Sequence, residues 1–192
     1  HNLVSFQYIT FSSLEMKAQK KGVQLDLSAM GEGFVIDLIA EFLEKNHIEN
    51  YKVQIGGEMK CKGRNPENER WLVGIENPAS HYFGEKLIGS TILEDEAIST
   101  SGTSRKFFTN KNGKKYSHII DPRTGHSIEN NLLSVTVKTK DAVDADAYAT
   151  ACMVMGYDSA IAFLLGAHLE GVIVYTKEGE VHTWHSPNFF TG

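Results

Sequence analysis

Short strand-like segments follow one another along this chain, and helical patterns interrupt them at only two places. Parallel strands need a helical crossover between them, so this order favours mostly antiparallel pairing. We therefore predict an α+β fold, with helices packed on antiparallel sheets. The predicted strands, which have alternating or wholly apolar residues bounded by turn residues, are 3–10, 23–27, 51–55, 58–62, 71–75, 87–93, 97–100, 132–139, 172–176 and 180–184.

Two further patterns predict local pairing and exposure. Asn112-Gly113 lies between the apolar pair 107–108 and the segment 115–120, which predicts a hairpin. The strand at 132–139 alternates as Ser-Val-Thr-Val-Lys-Thr, which predicts one face in contact with water.

Three helices are predicted. Ser28 is a candidate N-cap for the first, which ends near Asn46. Asp141 is the candidate N-cap of an alanine-rich helix that runs to Met155, and 158–165 forms the third. The first helix is predicted from apolar residues at helical spacing, which are Phe34, Val35, Leu38, Ile39, Phe42 and Leu43.

Composition and charge exclude several functional classes. A net charge of −5 with scattered Lys and Arg argues against nucleic-acid binding, which needs a basic face. No apolar run approaches the roughly 20 residues of a membrane span, and no signal-peptide pattern is present. Cys61 and Cys152 do not form a zinc or disulfide pattern; we expect one partly exposed thiol and one packed thiol.

Two short segments carry residues suited to chemistry. His118 ends a predicted strand, and a sharp turn follows in which Pro122 presets its own φ and Gly125 tolerates a positive φ. Asp146 and Thr150 are four positions apart on a predicted helix, so they share a face and offer a carboxylate and a hydroxyl to one cation. Taken alone, the acidic residues are better explained by an ordinary solvated helix start.

Five sequence blocks, taken together and in this order, resemble the ApbE family of FAD:protein FMN transferases. A sixth, at 183–187, resembles the C-terminus of the proteobacterial members. The five blocks are Leu-Asp-Leu-Ser-Ala-Met-Gly-Glu-Gly at 25–33, Gln-Ile-Gly-Gly-Glu at 54–58, Ser-Thr-Ser-Gly-Thr-Ser-Arg at 99–105, Ser-His-Ile-Ile-Asp-Pro-Arg-Thr-Gly at 117–125 and Asp-Ala-Asp-Ala-Tyr-Ala-Thr at 144–150.

The resemblance implies an ApbE-like, T-fold-like architecture, with residues 1–192 as one flavin transferase domain that lacks the family's N-terminal portion. It implies Mg²⁺-dependent transfer of FMN from FAD to a Thr or Ser hydroxyl of a target protein, with release of AMP. Alternatives are an FAD pyrophosphatase with water as acceptor and a non-catalytic flavin-binding module. The implied location is the periplasm or cell envelope, with membrane contact only through a lipid anchor outside this chain.

The resemblance also implies roles for single residues. The implied Mg²⁺ ligands are the side chains of Asp146 and Thr150 and a backbone oxygen of Ala29. Some relatives have a ligating carboxylate at the position of Ala149, where alanine leaves only its carbonyl. His118 matches the histidine implicated in catalysis. The residues implied or expected to contact FAD are Asp26, Glu32, Ile120, Ser101, Gly102 and Arg105, of which the last three form an oxyanion cradle.

Asp121 has two interpretations. It orients the imidazole of His118, or it caps the Pro-Arg-Thr-Gly turn, and the second is favoured by the turn residues that follow it.

Overall fold

The structure is a computed structural model that describes residues 3–80, 86–103, 107–109 and 115–190, with backbone only at 107–109 and 115–116. The described strands are β1 (Ile9–Phe11), β2 (Met16–Ala18), β3 (Tyr51–Ile55), β4 (Glu58–Lys62), β5 (Trp71–Glu76), β6 (Leu87–Leu93), β7 (Ala97–Gly102), β8 (Phe107–Thr109), β9 (Lys115–Ser117), β10 (Ile120–Asp121), β11 (His126–Ser127), β12 (Leu132–Thr139), β13 (Glu170–Lys177) and β14 (Glu180–His185). The described α-helices are α1 (Gly31–Lys45), α2 (Ala142–Met155) and α3 (Tyr157–Gly166), and a 3₁₀ turn covers Phe6–Tyr8.

A six-stranded antiparallel sheet forms the centre of the fold, in the order β14-β13-β12-β7-β4-β3. Four antiparallel pairs accompany it, and they are β1–β2, β5–β6, β8–β9 and β10–β11. The predicted α+β fold with antiparallel pairing is confirmed. The hairpin predicted around Asn112-Gly113 is confirmed in its β8–β9 pairing, although the turn itself lies outside the described residues.

The helices cover one face of the central sheet. Val135 and Val137 of β12 pack there against Cys152 and Met153 of α2 and Leu164 of α3. The opposite face is covered by the β5–β6 hairpin and the C-terminal segment. Its buried residues are Cys61, Val73, Ile75, Leu93, Ile98, Val172, Val174 and Phe189.

The second covering layer explains why the predicted wet face of β12 is wrong. Ser134 and Thr136 are buried, with 6% and 1% of their surface exposed. Their face of the sheet is shared with Val172 and Val174, which are their register partners on β13. Thr136 Oγ1 lies 2.8 Å from Thr100 Oγ1 on β7, so the buried Thr136 hydroxyl has a hydrogen-bond partner.

Helix α1 is confirmed, but its buried face is not the predicted apolar stripe. Gly33, Ile36 and Ala40 are buried, and the small size of Gly33 and Ala40 allows α1 to approach α2 and the sheet closely. The bulky Phe34 and Phe42 belong to the predicted stripe and are exposed, as are Val35, Leu38 and Ile39.

The chain before α1 departs furthest from expectation. Residues 23–27 form no strand, and the predicted strand at 3–10 is a 3₁₀ turn followed by β1. Ser28 does not cap α1, since its N–H and hydroxyl both donate to Asp26 Oδ1. Met30 occupies the N-cap position and makes no side-chain cap bond.

Both thiols are fully buried, so the expected exposure of Cys61 is wrong. The Cys61 side chain packs in the buried layer beneath the β5–β6 hairpin. Burial raises the pKa of each cysteine thiol to about 12, which makes both thiols poor nucleophiles. Among the described helices, none has the length and apolar composition needed to cross a membrane.

Candidate active site

A cleft of about 550 Å³ opens at one end of the central sheet, beside the tight turn between β3 and β4. This volume lies within the usual range of small-molecule sites. Residues from all five sequence blocks that carry the family resemblance meet in this cleft. The predicted site residues that line it are Glu32, Ser101, Gly102, His118, Asp146 and Thr150.

Strand pairing explains where the cleft lies. Strand β4 pairs with β7 only at Met59↔Ile98 and Lys60↔Ala97, whereas β12 pairs with β7 as far as Gly102. Within the described residues, the last part of β7 therefore extends past β4 and borders the cleft. Strand β5 forms the opposite wall with residues 73–76.

Thr150 reaches the cleft because α2 packs along β7. Its Oγ1 lies 2.7 Å from Ser101 Oγ, so the two predicted site hydroxyls are in direct contact. Ser101 lies near the end of β7, next to Gly102. A Cβ at Gly102 would lie 2.9 Å from the carbonyl oxygen of Leu133, so the backbone is closely packed at this point.

Asp146 is buried, with 7% of its surface exposed, and is held by the first turn of α1. Its Oδ2 accepts a hydrogen bond of 3.0 Å from the Gly33 N–H. The helix dipole of α1 favours a negative charge at this place. A carboxylate has about four lone-pair positions, so this bond leaves the group able to bind a cation.

The N-terminus of α2 is held by α1 in return. Asp37 Oδ1 accepts from the Ala142 N–H at 3.1 Å, and Asp37 Oδ2 accepts from the Val143 N–H at 2.9 Å. Asp141 occupies the N-cap position as predicted but makes no side-chain cap bond. Its carboxylate accepts from Lys60 instead, at 2.9 Å.

Glu58 is a cleft residue to which the sequence analysis gave no role. Its Oε2 accepts from the Gly57 N–H at 3.0 Å, and its Oε1 lies 3.3 Å from Ser99 Oγ. Burial and a hydrogen bond with the Glu32 carboxyl raise the pKa of Glu58 to about 7. Gly56, with φ +59°, makes room for this pair, because a Cβ there would lie 3.0 Å from Glu58 Oε2 and closer still to Glu32.

The raised pKa of Glu58 predicts a pH-dependent stability. The folded chain keeps this proton up to about pH 7, whereas an unfolded chain releases it near pH 4.5. The contribution is complete below the unfolded pKa and is lost as the pH rises through the folded pKa. The expected decline in the free energy of unfolding is on the order of 1 kcal/mol, because the group is half-buried and partly screened by solvent. Glu58→Gln should remove this decline. Urea unfolding in EDTA at acidic and mildly alkaline pH measures it.

Glu41→Gln, on the exposed side of α1, is the control for removal of a carboxylate. It should show the same decline in the free energy of unfolding as the unmodified chain. Equal slopes for the unmodified chain and Glu58→Gln would contradict the assignment.

Four predicted residues do not line the cleft. Asp26 lies just before it and holds Ser28, which does line it, and the hydrogen bonds from Ser28 keep the pKa of Asp26 below its usual range. Ala29 is exposed in the turn before α1, and Ile120 is half exposed on β10. Ala149 lies on the side of α2 that faces the core and is fully buried. Arg105 lies outside the described residues.

Asp121 caps its turn, which confirms the favoured interpretation. Its carboxylate accepts from the backbone N–H and the guanidinium of Arg123, and these bonds hold the pKa of Asp121 below its usual range. Its carbonyl oxygen accepts from Gly125, whose φ is +74° as the turn requires.

The cleft offers hard oxygen atoms, and these suit Mg²⁺. Within the described part of the chain, no group of three or more His, Cys, Asp or Glu side chains is arranged to hold a metal ion. Mg²⁺ commonly takes one or two carboxylates and completes its octahedron with water and substrate phosphates. One carboxylate at Asp146 and one hydroxyl at Thr150, facing an open cleft, are therefore compatible with it.

A sequence model of the ApbE family matches residues 1–174, and the chain belongs to this family. It is 40% identical over 169 residues to the FAD:protein FMN transferase of Escherichia coli strain K12, and the aligned region covers 86% of this chain and 46% of that protein. It is 36% identical over 174 residues to the FAD:protein FMN transferase of Buchnera aphidicola, which covers 91% of this chain and 50% of that one.

Solved structures agree. The flavin transferase ApbE from Vibrio cholerae superposes with a TM-score of 0.88 at 31% identity, over 99% of this chain and 60% of that one. The apo flavinyl transferase ApbE from Pseudomonas stutzeri gives 0.85 at 28%, over 99% and 59%. The chain spans about half the length of the curated relatives it matches.

Proposed function

We propose that the protein carrying this chain transfers FMN from FAD to a Thr or Ser hydroxyl of a target protein, in a Mg²⁺-dependent reaction that releases AMP. The observation that carries the proposal is the meeting of Glu32, Ser101, His118, Asp146 and Thr150 in one cleft, although they come from four separate sequence blocks. Family membership supplies the reaction class, since the relatives named above are FAD:protein FMN transferases.

The proposed metal ligands are the side chains of Asp146 and Thr150 and a backbone oxygen of Ala29; Ala149 is fully buried outside the cleft, so its carbonyl is not included. Bound there, Mg²⁺ would neutralise charge on the FAD pyrophosphate. The chain's own part is to hold Asp146 by the Gly33 N–H and Thr150 by the Ser101 hydroxyl, so that both ligands are in place before the substrate arrives.

His118 is the proposed general base. The acceptor oxygen bonds to the phosphorus on the FMN side, the pyrophosphate P–O bond breaks, AMP leaves, and the imidazole takes the hydroxyl proton. His118 is exposed on the bend between β9 and β10 and lines the cleft, which suits a group that must meet another protein. Glu32 and Asp26 are proposed to accept hydrogen bonds from adenine or ribose groups, and Arg105 to bind the oxyanion.

The same proposal places the reaction in the periplasm or cell envelope, with a lipid anchor outside this chain. The support is the family resemblance, and cell fractionation with an antibody against this chain tests it.

Asp146→Asn tests the metal-dependent part of the function. We expect Mg²⁺-dependent FMN transfer to fall by at least about 100-fold, because the ligand charge is lost while an amide oxygen still accepts from Gly33. The assay measures AMP release by chromatography and covalent flavin by fluorescence on a denaturing gel. Unchanged Mg²⁺ dependence would refute the site.

The same assay on the unmodified protein separates the alternatives. A covalently fluorescent protein band supports the transferase. AMP and free FMN without such a band indicate a pyrophosphatase, and bound FAD without AMP indicates a non-catalytic flavin-binding module.

A further inference from the structure

We propose that Asp37 is a positioning residue for the cleft: by holding the N-terminus of α2, it fixes Asp146 and Thr150 in place. Asp37 is not a lining residue of the cleft, so any effect on the reaction is indirect. The inference rests on the function proposed above, because that proposal makes Asp146 and Thr150 the metal ligands.

Asp37 provides the cap that α2 lacks. The first N–H groups of a helix have no partner within the helix and need an outside acceptor. The residue at the N-cap, Asp141, makes no side-chain cap bond. Both carboxylate oxygens of Asp37 accept instead, one from Ala142 and one from Val143. A single side chain of α1 therefore satisfies two donors of α2.

Lys60 fixes the Asp37 carboxylate in this position. Its Nζ lies 2.7 Å from Asp37 Oδ1 and 2.9 Å from Asp141 Oδ1. The side chains of Lys60 and Asp37 are only 13% and 21% exposed, so solvent screens this ion pair weakly. Through Lys60, strand β4 joins α1 and α2 in one polar network.

The holding is mutual. Asp37 follows Gly33 by four residues on α1, and Asp146 follows Ala142 by four residues on α2. Each aspartate accepts from the first turn of the other helix. The helices touch between the two bonds, since a Cβ on Gly33 would lie 2.3 Å from the Ala142 carbonyl oxygen. We call these two sets of bonds the reciprocal caps, and loosening one set should loosen the other.

The test uses Asp37→Asn and Asp37→Ala in this chain, with three measurements on each. Amide hydrogen exchange by NMR follows Gly33, Ala142 and Val143, titration gives the Mg²⁺ affinity, and urea gives the stability. We expect faster exchange at all three amides, including the Gly33 N–H, which donates to Asp146 and not to Asp37. We also expect a Mg²⁺ affinity weaker by about 10-fold or more, as for other residues that orient metal ligands, with alanine the more severe.

Two controls separate positioning from general effects. Asp158→Asn removes a first-turn carboxylate from α3, away from the cleft, and should leave the exchange of Gly33 and the Mg²⁺ affinity unchanged. Leu164→Ala truncates a fully buried core residue of α3, so it lowers stability while leaving the affinity of the folded protein unchanged.

Unchanged exchange at Gly33 in both Asp37 variants overturns the proposal, whatever the metal result. If the unmodified chain binds no Mg²⁺, the proposed metal site fails, and the exchange data still decide the role of Asp37. If the Asp37 variants do not fold, Lys60→Met keeps both cap bonds but removes the cation that fixes them. It should still accelerate exchange at Gly33, and no acceleration there overturns the proposal.

Discussion

His118→Ala is expected to slow FMN transfer by about 10²–10⁴-fold while the affinities for FAD and Mg²⁺ stay nearly unchanged. A hydroxyl is protonated at neutral pH and needs a base placed beside it. Since His118 is exposed on a bend rather than packed in the core, its truncation should also leave the fold intact. Single-turnover kinetics and FAD titration on the same protein separate the rate from binding.

His126→Ala is the matched control for this experiment. His126 is an exposed histidine on β11, close in sequence to His118, and it does not line the cleft. Its replacement should leave the transfer rate unchanged. A near-normal rate in His118→Ala would mean that His118 is not the base, and lost FAD binding would make it a wall of the pocket instead.

Gly33→Ala is expected to give the largest loss of stability, about 3 kcal/mol or more, at the upper end of the cost of overpacking. The added Cβ would lie 2.3 Å from the Ala142 carbonyl oxygen and 2.9 Å from Asp146 Cβ. The first of these is a backbone atom, so no side-chain rotation relieves the contact and α1 must move away from α2. Urea unfolding followed by circular dichroism measures the loss.

Gly31→Ala, two residues earlier in the same helical turn, is the control. A Cβ there meets nothing within 4 Å. Alanine should therefore stabilise the chain by up to about 0.5–1 kcal/mol, because glycine is the poorer helix former. Similar unfolding midpoints for the two variants would show that the helices do not touch at Gly33.

Most of the central sheet was predictable because its strands alternate and end at turn residues. Helix α2 was predictable because it is rich in alanine and begins with acidic residues, which favour a helix N-terminus, and α3 because its run ends at a glycine. Ser28 misled the assignment of the start of α1, because a serine before a helix is compatible both with a cap and with the Asx turn that Asp26 forms here. The prediction that one face of β12 contacts water was wrong because a second layer covers that face. The alternation of residues along a single strand does not show whether such a layer exists.

The cleft was predictable only where motifs marked it. His118, Asp146 and Thr150 belong to blocks that carry the family resemblance, and all three line the cleft. Glu58 ends such a block, yet nothing local shows that its carboxyl faces that of Glu32. Asp37 has the pattern of an ordinary polar position on a helix. Its role depends on the packing of α1 against α2, which is set by residues more than a hundred positions away.

The reciprocal caps also constrain the order of events during folding. The bond from Gly33 to Asp146 spans 113 residues, and those from Ala142 and Val143 to Asp37 span 105 and 106. Contacts this distant in sequence require closure of a long loop before they contribute any energy, and topologies rich in them fold slowly. Joining the first turn of α1 to the first turn of α2 therefore carries the entropic cost of closing a loop of more than a hundred residues. If the proposed metal site is correct, a chain in which these two turns have not met lacks an assembled cation site, and Mg²⁺ binding should then report that they have met.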